Sequence, residues 1–347
     1  MKQSIKQKLD KALSNNNHKE LVDIVVINTP IVEVMKKVNI FWPEAHRNTK
    51  LMGELAIASN EANKFNAINV PFDMVVESEA LGCEVVWSKD IDSTPQVRGV
   101  AFNDIDNIRI DSSILNKGRF KIVLDAISYI KENYRRDIPI IPFVDGPFTI
   151  GANCIGINKL FKLVIKNKTG AKKIFELFNS LCIDYANAQI ERGADFIMML
   201  DPIVSGLSGE IFKDLIVPVY KEFNRNINKK AILHICGNVN RILEYIPVCD
   251  FTAFSFDQPA MKIESLKSKI GNKIKIIGAI PTVGSLLEGS SKDVFNKTIE
   301  CINKGIDIVA PSCCIPPDVK LENLIAIKDA IKYYNNKLRK KSKAKSE

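Results

Sequence analysis

The stretch Asp195-Phe196-Ile197-Met198-Met199-Leu200-Asp201-Pro202 decides the fold. An unbroken apolar run, closed by an acid and a proline, reads as a short strand buried on both faces. On either side lie segments of helical periodicity, 171–192 and 211–224. A buried strand between two helices of crossover length is the repeating unit of a parallel sheet.

The unit recurs along the chain. Apolar runs at 67–71, 84–87, 138–144, 195–200, 230–234, 251–256, 274–278 and 307–310 make eight, and further helical segments lie at 120–134 and 292–304. Eight such units predict an α/β fold of the (β/α)8 TIM-barrel type. A doubly wound open sheet is the competing architecture. Residues 1–65 read as an N-terminal helical extension, opening with a helix over 1–15 in which Ile5, Leu9 and Leu13 repeat every four positions. Residues 88–99 read as a long loop. One domain is expected over 1–336, followed by a disordered basic tail at 337–347.

Composition narrows the function classes. Of the 347 residues 46% are hydrophobic, enough for a large core, and the longest apolar runs fall far short of a membrane span. The segment 1–17 is polar, without the apolar stretch of a secretion signal. A cytoplasmic protein with no membrane contact is expected. The net charge of +9 is concentrated in 337–347, which carries six Lys/Arg and one Glu. A solvated end is the expected meaning, with no nucleic-acid partner. Eight cysteines, at 83, 154, 182, 236, 249, 301, 313 and 314, do not suggest a disulfide framework in such a protein, and most should be small buried apolar groups.

In a (β/α)8 barrel the chemistry lies at the C-terminal ends of the strands. The residues there are Asp73, Asp145-Gly146-Pro147, Asp201-Pro202, His234-Ile235-Cys236-Gly237, Asp257 and Pro311-Ser312-Cys313-Cys314. Asp73, Asp201 and Asp257 are the candidate catalytic acids, each with a competing role as turn or cap residue. The Asp145 turn reads as structural. Glu77 and Glu79 follow the first run and are rim groups or a solvated helix start.

His234 and Cys236 carry more information. Residues i and i+2 of a strand point the same way, so imidazole and thiol face one point. With a second thiol from another strand end they make three zinc ligands. A buried histidine beside an inert cysteine is the competing reading. Three protein ligands leave a position open, as catalytic rather than structural sites do. Two thiolates balance the charge of the ion, which lowers the pKa of an incoming thiol while leaving it nucleophilic.

These residues sit in stretches that resemble the uroporphyrinogen decarboxylase superfamily, and within it the methylcobamide:coenzyme M methyltransferases of the methanol and methylamine pathways. The stretches are Phe41-Trp-Pro-Glu-Ala-His46, Pro71-Phe-Asp-Met-Val-Val-Glu-Ser-Glu-Ala-Leu-Gly82, Asp201-Pro202, Leu233-His-Ile-Cys-Gly-Asn238 and Ala310-Pro-Ser-Cys-Cys-Ile-Pro-Pro317. The likeness runs from about 20 to 335 and implies a TIM barrel. It implies zinc on His234, Cys236 and Cys313, with Cys314 standing where the family usually has glycine. It also implies a methylated corrinoid, carried by a partner protein, as methyl donor to a small thiol such as coenzyme M. Homocysteine and tetrahydrofolate are the alternative acceptors. The decarboxylase branch, which serves heme biosynthesis, would place its catalytic acid near Asp73. It also needs an N-terminal arginine clamp, and this chain has no Arg before Arg47. A non-catalytic corrinoid-binding barrel is the remaining alternative.

Overall fold

A computed structural model describes residues 3–343 except 15–19, 88–89, 91–92, 106–107, 135, 259 and 272. Eight strands are described: β1 (Val85–Val86), β2 (Gln96–Val97), β3 (Phe143–Asp145), β4 (Ile197–Leu200), β5 (Ala231–Ile235), β6 (Ala253–Phe256), β7 (Lys275–Ile280) and β8 (Ile308–Pro311). Strands β3 to β8 form one parallel sheet in sequence order. The register sets Asp145 beside Leu200, Leu200 beside His234 and His234 beside Ser255.

Two further staves complete the barrel. Around Ile68 the chain makes a parallel bridge to Ile140, and around Asp23 one to Val309. The second bridge joins the first stave to the last strand, with Ile24 N–H to the Val309 carbonyl at 3.0 Å and Val309 N–H to the Val22 carbonyl at 3.0 Å. Between these staves side-chain amides replace a backbone ladder. Asn69 donates to the carbonyls of Val25 and Val26 and accepts from Asn28 N–H, while Asn66 N–H donates to Asp23. Pro139 and Pro142 flank the neighbouring stave and have no N–H to give. Pairing there is reduced to single bridges.

The structure therefore bears out the barrel and corrects one of its staves. The run at 84–87 is not a barrel strand: β1 pairs antiparallel with β2 as a hairpin across what was expected to be a long loop. The missing stave is 22–27, inside the stretch read as a helical extension. Its sequence, Val22-Asp23-Ile24-Val25-Val26-Ile27, has the same apolar character as the runs that were counted.

Side chains alternate between two cores. Inward residues such as Ile24, Val26, Phe143, Met198, Leu200, Ile232 and Ile277 fill the barrel. Leu9, Ala12 and Leu13 of the helix Ile5–Ser14 join them, so that helix closes the barrel base. Outward residues pack against the helices. Three of the longer helices begin at side-chain caps: Asn48 accepts from Leu51 N–H, Asn167 from Gly170 N–H, and Ser290 forms a reciprocal pair with Asp293. The basic stretch expected to be disordered from Lys337 is helical to Lys343, and 344–347 lie outside the described residues. Lysine, arginine and leucine are good helix formers, and Arg339 pairs with Glu20. No single described helix is long and apolar enough to cross a membrane.

Candidate metal centre

Strand β5 ends by pointing His234 and Cys236 to the same side, as the two-residue period requires. The His234 Nε2 lies 2.9 Å from the Cys236 sulfur, which lies 3.3 Å from the Cys313 sulfur at the end of β8. All three atoms fall within 4.8 Å of one another, and among the described residues no other group of three such ligands converges in this way. His234 is buried, while Cys236 and Cys313 are half-buried and reachable from the rim. Cys314 is exposed, 4.0 Å from the Cys313 sulfur and outside the group of three.

The donors fit a zinc ion. Tetrahedral bonds of about 2.0–2.3 Å set ligand atoms roughly 3.5–3.8 Å apart. A small spreading of the three side chains reaches that spacing. The other ring nitrogen, His234 Nδ1, is 3.0 Å from the Ser255 hydroxyl on β6, which fixes the ring orientation as outer partners of metal-bound histidines do. Asp257, at the end of β6, accepts from the Ser312 hydroxyl at 3.1 Å and so positions the turn that carries Cys313.

The other acids are engaged elsewhere. Asp73 is held by both terminal nitrogens of Arg119, at 2.7 and 2.9 Å, and by His46 Nδ1 at 2.8 Å. Burial alone would raise its pKa; Arg119 and then His46 outweigh burial and hold the carboxyl well below its ordinary range. Arg119 also pairs with Glu79, and its guanidinium lies 4.8 Å from the Trp87 ring centroid. Asp201 accepts from Thr149 N–H and hydroxyl, Phe148 N–H and the Tyr220 hydroxyl. It thereby caps the helix Pro147–Ile155, and burial pushes its pKa up to about 6 in spite of these bonds. Asp201 thus faces a helix start instead of standing free at the rim.

Sequence reasoning gave too little weight to two acids. Glu77 is no solvated helix start: it is buried and accepts Asp145 N–H at 2.9 Å, and burial pushes it up to about 7. Asp145 is fully buried with no hydrogen-bond partner on either carboxylate oxygen among the described residues. Burial first, then Glu77, Asp73 and Asp201, raise its pKa well above the ordinary value. Their spacing to a strand end was visible in sequence; their burial was not.

A cavity of about 420 Å³ opens beside the site. Asp73, Thr149, Asn153, Pro202 and Cys314 contribute to its wall, as does Gln96 of the β1–β2 hairpin. It reaches the histidine–thiol group through Cys314, the chain neighbour of Cys313.

The chain is similar to known proteins over most of its length. The uroporphyrinogen decarboxylase (URO-D) family model matches residues 16–334. The chain is 33% identical over 305 residues to methylcobamide:CoM methyltransferase MtaA of Methanosarcina barkeri, covering 87% of this chain and 90% of that protein. It is 28% identical to methylcobamide:CoM methyltransferase MtbA of Methanosarcina acetivorans, covering 94% and 98%. A solved methyltransferase from Methanosarcina mazei superposes with a TM-score of 0.91 at 31% identity, covering 96% of this chain and 99% of that one.

Proposed function

Because the chain belongs to the uroporphyrinogen decarboxylase (URO-D) family, and within it resembles the methylcobamide:coenzyme M methyltransferases, we propose that it moves a methyl group from a methylated corrinoid to the sulfur of coenzyme M, with zinc as its metal. The observation that carries the reading is the convergence of His234, Cys236 and Cys313 within 4.8 Å at the strand ends. An acid-based decarboxylase would instead need Asp73 free, and Arg119 and His46 occupy it.

In this reading His234, Cys236 and Cys313 hold the ion, and the two thiolates cancel its charge. When bound, zinc lowers the pKa of an incoming thiol, so that it is presented as a thiolate at neutral pH. The chain supplies orientation. Ser255 fixes the His234 ring, the Asp257–Ser312 bond holds the Cys313 turn, and the cavity seats the acceptor. The corrinoid, carried by a partner protein, brings the transferable methyl as substrate. Its approach is to the open rim, where Cys236 and Cys313 are reachable.

The test combines metal analysis with methylcobalamin as donor. One zinc per chain, and loss of the methyl–cobalt bond only when coenzyme M is added, is the expected result. Turnover with homocysteine or tetrahydrofolate in place of coenzyme M would redirect the acceptor. Metal without turnover on any of the three would overturn the reading.

A further inference from the structure

Cys83 and Cys154 place their sulfurs 3.6 Å apart and are not part of the histidine–thiol group. Both are free thiols. Cys83 also donates to the Asn153 carbonyl at 3.6 Å, whereas the buried Cys182, Cys249 and Cys301 each meet a backbone carbonyl, with no second thiol bonded to them among the described residues. Cys83 directly precedes the β1–β2 hairpin, and Cys154 lies near the end of the helix Pro147–Ile155.

We propose that Cys83 and Cys154 form a peroxide-reactive dithiol whose oxidation to a disulfide locks the β1–β2 hairpin over the rim cavity. Trp87 ties the hairpin to His46, Arg47 and Arg119, and Cys83 and Cys154 stand at its base. Arg98 N–H donates to the Glu84 carbonyl, and Ala101 and Phe102 N–H both donate to the Cys154 carbonyl, each at 2.9–3.0 Å. Gln96 and Val97 of the hairpin line the cavity, as does Asn153, the neighbour of Cys154. Asn153 in turn donates to Ser78 at 3.0 Å on the segment leading to Cys83. A bond between the two sulfurs would join both walls of the cavity covalently.

The chemistry balances with a peroxide as oxidant. The Cys83 thiolate attacks one peroxide oxygen, the O–O bond breaks, and hydroxide leaves to give a sulfenic acid. The Cys154 sulfur then attacks the Cys83 sulfur, the S–S bond forms, and the departing oxygen takes up protons as water. Two thiols and hydrogen peroxide give one disulfide and two waters. Cys83 is the residue reached first, at 6% exposed against 0% for Cys154. The hydrogen bond with Cys154 holds the Cys83 pKa below the ordinary thiol value, against the effect of burial. The sulfurs, 3.6 Å apart, must close to the ~2.05 Å of a disulfide.

The experiment treats the full-length, zinc-loaded protein with hydrogen peroxide and maps linked peptides without reduction. The expected result is a Cys83–Cys154 link with loss of two hydrogens, reversed by dithiothreitol. Tm should rise by about 5 °C, because a long loop is closed. Amide exchange over 93–102 should slow by about tenfold. Cys83→Ser and Cys154→Ser should lose all three responses. Mapping on the wild-type chain keeps the test decisive if either variant fails to fold. Peroxide that links Cys236 to Cys313 while leaving Cys83 and Cys154 alkylatable would overturn the proposal. So would a Cys83–Cys154 link that leaves exchange over 93–102 unchanged. Neither outcome depends on methyl transfer.

Discussion

His46 and His234 are both buried, and both lie near the rim of the barrel. Their surroundings differ in kind. His46 faces Asp73 and is packed against Trp42, Phe72 and Trp87, with Arg119 completing a charged cluster. His234 faces two thiols and a hydroxyl. In the first region each charge already has its opposite, so nothing is left over for a ligand. In the second, three electron-pair donors crowd together. Among the described residues their partners are one another, the Ser255 hydroxyl and the Cys314 thiol, with no Lys or Arg bonded to them. Compensated charge at one place and uncompensated donors at the other is the physical difference between holding a rim together and holding an ion.

Four substitutions test that contrast. Cys236→Ala removes one of three ligands from the second region. If binding is worth about 10–16 kcal/mol in all, a quarter to a third of it is about 3–5 kcal/mol, or roughly 10²- to 4 × 10³-fold in metal affinity. Competition against a chelator measures this, and a variant that kept wild-type affinity would break the ligand assignment.

Arg119→Met acts on the first region. It leaves Asp73 buried with His46 alone, at a cost of about 3 kcal/mol. For a chain of this size that lowers Tm by about 4 °C. Zinc content should stay at wild-type level; its loss would mean that the two regions are not separate.

Glu77→Gln keeps an acceptor for Asp145 N–H but removes the titration. The folded-state pKa of Glu77, about 7, lies above its ordinary 4.5. The folded state therefore binds the proton more tightly than the unfolded state, and stability falls as pH rises from about 4.5 through about 7. The variant should gain about 2–3 kcal/mol over wild type between pH 4.5 and pH 8, by order of magnitude. Denaturant titrations at the two pH values measure it. An equal difference at both would place the protonation elsewhere in the cluster.

Ser255→Ala should have the smallest effect. It removes the partner of His234 Nδ1 and weakens metal binding by about 10–100-fold, the usual consequence of losing an outer partner. Cobalt(II) titration followed by absorbance reads it, with Thr at the same position expected to restore most of the affinity.

The sequence made the barrel legible because a strand buried on both faces must be an apolar run, whatever its neighbours. That rule holds for 195–200, 230–234, 251–256, 274–278 and 307–310, which all became strands of one sheet. It misled at 84–87, where the run is too short and exposed to be a stave, since Val86 is 41% exposed. It was not applied to 22–27, which satisfies it. That stave is joined to its neighbour by asparagine side chains 41 to 44 residues away, and no local pattern announces such partners.

The candidate site divides the same way. His234 and Cys236 were fixed by local geometry, because a strand turns residues i and i+2 to one side. The approach of Cys313, and the position of Cys314 outside the group, depend on closing the sheet between β5 and β8, which brings together residues 77 apart in the chain. The acids show the limit most clearly. Asp73, Asp201 and Asp257 look alike as residues after strands, yet one is caged by Arg119 and His46, one caps a helix, and one braces a turn. Sequence determined which chemical groups the rim owns, because strand ends are local. Tertiary structure alone decided which carboxylates meet a cation or a backbone N–H, because those partners come from distant elements and are set by packing.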